Sequence, residues 1–275
     1  MRVLLTNDDG IEADGLQCLR RALLEVPGIE LAVVAPDGNR SAMARSITTR
    51  RPLWVEEIEF GDGTVGYATD GTPVDCVRLA RLGLIEGFDA ELVVSGINHG
   101  ANLGDDITYS GTVAAALEAV VLGLPGIAVS QQSSALELDF RQGAAFDFTV
   151  AAEFTARLVG DLQSVPLPAG TLLNINFPGR APNGVEVARL GKRIYRDQLS
   201  LLEEGGPGRR LYRIYGDADY EPAEQDTDLV AVARGRVAVT PLHFELTHHP
   251  SLEVLAAHDL NRLLDSLPPT HPQHL

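Results

Sequence analysis

Val3-Leu4-Leu5-Thr6-Asn7-Asp8-Asp9-Gly10 opens the chain with an apolar run that ends on two adjacent acids and a glycine. A short run of branched aliphatic residues without polar alternation reads as a strand buried on both faces, as in parallel sheets. The acids then fall at its carboxyl end, where open α/β sheets bind ligands in the crevice beside the switch in strand order. Adjacent carboxylates repel each other unless something cationic sits between them and solvent. Oxygen ligands favour a hard divalent ion such as Mg²⁺ or Mn²⁺ over zinc. A single Asp here would be explained by helix capping with Gly10 making the turn. The pair, together with the donors below, argues for a metal.

Similar runs recur: Leu31 to Ala35, Leu92 to Ser95 and Ile127 to Ser130 read as further parallel strands. Between them Gly15 to Val26, Pro73 to Leu84, Thr112 to Gly123 and Ala144 to Leu162 carry apolar residues at helical spacing. This alternation predicts an α/β fold, a doubly wound, mostly parallel sheet in a Rossmann-like three-layer arrangement. Trp54 to Phe60 and Val65 to Thr69, separated by Gly61-Asp62-Gly63, read as an inserted hairpin.

After Pro166 the texture changes. Leu172 to Phe177 fits one more sheet strand, whereas Val185 to Leu190, Arg210 to Tyr215 and Arg236 to Leu242 are extended pieces joined by Gly/Pro-rich stretches. The expected organisation is a core over 1–180, an extended C-terminal β arm over 181–245 that pairs with another subunit, and a C-terminal helix and tail over 246–275 packing on the core. The last helix is expected from Ser251 to Leu267, with a disordered tail beyond Pro268-Pro269. His248-His249 precedes Pro250 at that helix start and reads as surface or cap.

The 275 residues include 22 Lys+Arg against 38 Asp+Glu, a formal charge of −16 that disfavours coating a nucleic-acid polymer. Cys18 and Cys76 lie far apart without zinc or disulfide spacing and read as small buried hydrophobes. The apolar stretch Val113 to Val129 is broken by Glu118 and Pro125, so no membrane span is expected. The chain enters a strand at Val3 with no signal-peptide pattern ahead of it, so a cytoplasmic protein is expected.

Four loops fall at strand ends and would face one crevice: Asn7 to Gly10, Asn39-Arg40-Ser41, Ser95 to Gly104, and Tyr109 to Thr112. Asn98 and Ser41 supply neutral oxygens that can complete a hard-ion shell beside Asp8 and Asp9, with one water as nucleophile. Ser110-Gly111-Thr112 at a helix start offers hydroxyls, free N–H groups and the positive dipole end to a phosphate, and Gly111 would let that phosphate approach the backbone. Ordinary capping by Ser110 predicts the same letters. Arg40 is either a phosphate clamp or a surface residue, and Asn102 either a phosphate contact or a turn residue.

No G-x-G-x-x-G follows the first strand, and neither a P-loop nor a G-x-S-x-G elbow occurs. A receiver-like signalling domain needs a phosphate-accepting Asp ending the third strand and a Lys near the last strand. Here that loop supplies Ser95 and Asn98, and Lys192 is the one lysine in the sequence. A phosphate-sensing binding module on the same crevice is the other non-enzyme reading.

These blocks, with Thr69-Asp70-Gly71-Thr72-Pro73 and Val239-Thr240-Pro241-Leu242, resemble the SurE family of stationary-phase survival proteins, metal-dependent nucleoside-monophosphate phosphatases. The resemblance implies metal ligands at Asp8, Asp9, Ser41 and Asn98, one Mg²⁺ or Mn²⁺ per subunit, and hydrolysis of 5′- and often 3′-nucleotides or short polyphosphate. It also implies a homodimer or homotetramer with exchanged C-terminal segments. Asp8 and Asp9 would be catalytic, with Asn7, Asn102, Ser110, Gly111 and Thr112 holding phosphate. The sequence departs from the family at Ala42-Met43-Ala44-Arg45, where Gly and Ser/Asn are usual, and at Gln225-Asp226.

Overall fold

A computed structural model describes residues 1–136, 145–162, 164–165, 167–195, 199–214, 218–220 and 225–265. Strand β1 (Arg2–Thr6) lies at the centre, parallel to β2 (Glu30–Pro36) on one side and to β5 (Leu92–His99) on the other. β3 (Val55–Glu59) and β4 (Val65–Thr69) form the expected hairpin, and β4 pairs in parallel with β2, so the hairpin extends the main sheet. Beyond β5 come β6 (Gly126–Gln131) and β7 (Thr171–Phe177), both parallel. The chain builds outward from β1 through β2 and β4, then crosses back to β5, which puts the switch point between β1 and β5.

Alternation within β1 divides the core. Val3 and Leu5 face α1 (Asp14–Leu24) and α4 (Thr149–Gly160), joining Leu16, Leu19, Leu23, Ala152, Ala156 and Val159. Leu4 faces the opposite way with Cys76, Val77, Ala115 and Ala119 of α2 (Pro73–Arg81) and α3 (Gly111–Val121). Two helical layers therefore enclose the sheet, as the sequence implied. Pro73 starts α2 behind a Thr72/Asp75 capping box. In α1, Arg20 is buried, with its guanidinium 2.7 Å from Asp62 and 4.2 Å over Phe60, tying the hairpin turn to the helix. Cys76 is buried and Cys18 partly so, and both are free thiols.

Of the segment read as an arm, β8 (Val185–Val187) and β13 (Val237–His243) return to the main sheet, β13 antiparallel to β7 and parallel to β8. Between them, β9 (Arg193–Tyr195) pairs with β12 (Ala218–Tyr220), and β10 (Ser200–Gly205) with β11 (Arg209–Arg213), as two ribbons outside that sheet. α5 (Asp228–Ala233) leads into β13. Residues Met1–Phe244 form one compact unit and Glu245–Leu275 a second.

In the second unit the single expected helix is two: α6 (His249–Ala256), with His248 at its N-cap, and α7 (Asn261–Asp265). Asp259 accepts the backbone N–H of Asn261 at 3.1 Å, a local turn that starts a new helix instead of prolonging the old one. The start of the fourth helix also moves, from Ala144 to Thr149, whose N–H is capped by Asp147. The expected disordered tail lies outside the described residues. Among those described, no helix is long and apolar enough to cross a membrane.

Candidate active site

The first loop is held by its own asparagine. The Asn7 amide donates to the Gly10 carbonyl (2.9 Å) and accepts the Gly10 N–H (3.2 Å), while Gly10 takes the left-handed backbone that closes the turn against Gly38. Arg40 N–H donates to the Asp8 carbonyl at 2.6 Å, so the loop after β2 is fastened onto the loop after β1. The Arg40 guanidinium pairs with Asp37 at 2.5 Å.

Asp8 is buried and points at the start of α3. Thr112 Oγ1 donates to Asp8 Oδ1 at 2.5 Å, and the Thr112 backbone N–H also supports the carboxylate. A Cβ on Gly111 would stand 2.7 Å from Asp8 Cβ and 2.8 Å from its Oδ2. The glycine thus makes room for Asp8, a neighbour that the sequence did not announce. Ser110 caps α3, accepting the N–H of Val113 at 3.1 Å.

Asp9 is partly exposed. His99 donates to its Oδ2 twice, from the backbone N–H (3.0 Å) and from ring Nδ1 (2.9 Å), and Asn39 Nδ2 donates to Oδ1 at 3.3 Å. Asn39 Oδ1 also accepts the N–H of Ser41, so one side chain joins the Asp9 loop to the exposed Ser41. Asn98 comes off a β5 bulge between Ser95 and Asn98, at which Gly96 sits with positive φ against the Val129 carbonyl. Its Nδ2 donates to the Gly100 carbonyl at 2.8 Å, which leaves Oδ1 as the acceptor end.

Burial first, and the Asp9 charge second, push the Asp8 carboxyl up to about 6 against the opposing Thr112 hydrogen bonds. Among the described residues neither acid is ion-paired to a lysine or arginine, and no cluster of three His, Cys, Asp or Glu surrounds them. Two carboxylates, an amide oxygen and a hydroxyl form an all-oxygen donor set suited to a hard divalent cation. The residues present fit such an ion.

Asn102 is buried in a polar clamp that sequence reading missed. Its N–H donates to Asn176 Oδ1 (2.8 Å), its carbonyl accepts Asn174 Nδ2 (2.9 Å) and Asn176 Nδ2 (3.0 Å), and its own Nδ2 donates to Ser130 (2.8 Å). The signal was available in Asn174-Ile175-Asn176, two polar residues at period two inside an otherwise apolar strand. His99 was also missed, although it follows Asn98 directly.

The Ala42–Arg45 departure has a visible backbone cost: Ala42 and Ala44 both adopt left-handed φ, 59° and 52°, where glycine would be unstrained. Contacts of Ala44 and Arg45 hold the loop, among them the Arg45 guanidinium 4.7 Å over the Phe244 ring. Ala44 N–H donates to the Tyr109 carbonyl, and Arg45 reaches the buried Glu118 of α3 at 2.5 Å, which Arg78 of α2 also meets at 2.7 Å. At the other departure, Asp226 pairs with Arg189 at 3.0 Å beside the α5 N-cap, Thr227.

The fold and this geometry define a doubly wound α/β protein with an acidic, oxygen-lined candidate site at its switch point. The profile of survival protein SurE matches residues 3–197. A protein named 5′-nucleotidase SurE from Rubrobacter xylanophilus is 50% identical over 267 residues, spanning 96% of this chain and 99% of its own. Another of that name from Moorella thermoacetica is 42% identical over 94% of this chain and 96% of its own. The crystal structure of the SurE protein from Aquifex aeolicus superposes with a TM-score of 0.77 at 34% identity, covering 96% of this chain and all of that one. The chain belongs to the SurE family.

Proposed function

We propose that this chain is a metal-dependent phosphomonoesterase that hydrolyses nucleoside 5′-monophosphates, and also 3′-monophosphates and short polyphosphate. The observation that carries the reading is the pair Asp8 and Asp9 at the switch point, held by neighbours on the three other loops of the crevice and without a lysine or arginine partner among the described residues. The names of the relatives support a nucleotide as substrate.

In this reading Asp8, Asp9, Ser41 and Asn98 hold one Mg²⁺ or Mn²⁺, which when bound supplies Lewis acidity toward phosphoryl oxygens and water. Thr112 and the N-terminal end of α3 fix Asp8 and favour negative charge beside it. Ser110, Gly111, Thr112, Asn7 and Asn102 line the phosphate side. Their hydrogen bonds within the protein keep them in place before substrate arrives, so little reorganisation accompanies the reaction. The proton of the attacking water goes to the acidic pair, of which Asp9 is the more accessible member.

The β10/β11 ribbon exposes Leu201, Leu202, Leu211 and Tyr212, and a lone two-stranded ribbon with apolar side chains gains stability by pairing with another subunit. This supports exchange of C-terminal segments in a homodimer or homotetramer, which light scattering would measure.

The test of the activity is a panel of nucleoside monophosphates assayed for phosphate release in chelator, then with Mg²⁺ or Mn²⁺ restored. Release that needs the added ion and disappears in Asp8→Asn supports the reading. Retention of intact AMP favours a phosphate-sensing module instead, and a stable phospho-aspartate favours a receiver domain.

A further inference from the structure

We propose that His99 is a positioning residue for the acidic pair: it fixes Asp9 so that the site is shaped for its cation before the cation arrives. The inference deepens the proposed function and rests on it. Both N–H groups that reach Asp9 Oδ2 come from this one residue, one from its backbone and one from its ring. An ionised carboxylate only accepts hydrogen bonds, so Nδ1 carries the proton of that contact. Oδ2 is thereby anchored from two directions, and among the described residues Oδ1 keeps the longer 3.3 Å contact from Asn39.

The ring itself is held. It meets Phe148 edge-on with centroids 4.7 Å apart and Phe146 at 5.1 Å, and these two phenylalanines stack on each other at 5.4 Å. Phe148 is buried at the entrance to α4, where its carbonyl accepts the N–H of Ala152 at 2.8 Å. A rigid helix therefore sets the aromatic pair, the pair sets the imidazole, and the imidazole sets the carboxylate. Because His99 follows Asn98, the same bulged strand end delivers one oxygen donor and orients another. Partners that orient the carboxylates and imidazoles around a metal typically contribute about 10- to 100-fold in metal affinity.

The experiment measures binding of Mn²⁺ alone, by calorimetry without nucleotide, to the full chain and to His99→Ala, His99→Asn and Asp8→Asn, with AMP turnover followed over a range of Mn²⁺. His99→Ala keeps the backbone donor and loses the ring donor, so its Mn²⁺ affinity is expected to fall about 10-fold, with turnover recovering at high Mn²⁺. His99→Asn restores an N–H near the position of Nδ1 and is expected to recover most of the affinity. Parent-like Mn²⁺ binding in His99→Ala overturns the inference, as does a loss that asparagine fails to repair, since the ring would then matter only for packing on Phe146 and Phe148. If the parent chain binds no Mn²⁺, the cation reading itself fails. If the parent binds, Asp8→Asn does not, and His99→Ala matches the parent, only the assignment of His99 fails.

Discussion

Replacing Gly111 by alanine places a methyl carbon 2.7 Å from Asp8 Cβ, 2.8 Å from Oδ2 and 3.1 Å from Cγ. Ordinary contact begins near 3.4 Å, so the carboxylate must retreat by ~0.7 Å, or α3 must shift by a similar amount. Because the Gly111 φ lies outside the left-handed range, alanine is acceptable to the backbone there and even favours the helix, by up to about 1 kcal/mol. Overpacking costs about 1–3 kcal/mol, so the net loss of stability is expected to stay below about 3 kcal/mol and the fold to survive. Activity is another matter, since misplacing a reacting group by about 1 Å can cost about 100-fold, equivalent to about 2.7 kcal/mol of transition-state stabilisation. Phosphate release from AMP in saturating Mn²⁺, together with urea denaturation, separates the two effects. Gly61→Ala, which meets nothing within 4 Å, serves as the control. A folded Gly111→Ala enzyme with kcat/KM within about twofold of the parent would refute the reasoning, because Asp8 would not need the place the structure gives it.

Three further outcomes follow from particular contacts. Asp8 has its carboxyl raised from 3.8 to about 6 by burial and by Asp9, so the metal-free protein is favoured while the group is protonated and loses that advantage as pH climbs from about 4 through about 6. Asp8→Asn lacks this titration, and in chelator its stability relative to the parent is expected to grow by about 3 kcal/mol across that window, measured by urea midpoints at each pH. Asn176→Ala strands the N–H of buried Asn102 and removes a donor to its carbonyl, which is expected to cost about 2–4 kcal/mol in chemical denaturation. Removing Arg45 and Arg78 together leaves buried Glu118 without either of these cations and is expected to cost about 3–5 kcal/mol. Glu118→Ala should cost less, because both arginine side chains are already partly exposed.

Much of the frame was legible because the physics that sets it is local. Val3 to Leu5, Leu92 to Val94 and Ile127 to Val129 are apolar on consecutive positions, which a strand tolerates only with helices on both faces, and they form the centre of the sheet. Asp8, Asp9 and Asn98 were legible as a group for the same reason, since strand ends of a parallel sheet converge on one edge. The return of β13 to the sheet was not. Val237 to His243 reads as an extended piece in any setting, and its antiparallel register on β7 is fixed by residues more than sixty positions away. The clamp on Asn102 and the ring of His99 escaped notice likewise, because their partners Asn176 and Phe148 are remote in sequence. At Gly111 the sequence did not announce Asp8 as a neighbour: a missing side chain signals that something comes close without saying what.

The acids after β1 are intelligible if they share a divalent cation, and that claim is open to direct inspection. Crystals grown in Mn²⁺ and measured for its anomalous scattering are expected to show one strong peak per subunit, bounded by Asp8, Asp9, Ser41 and Asn98 and absent in Asp8→Asn. A peak elsewhere, or none at saturating Mn²⁺ with those four side chains well ordered, would contradict the account.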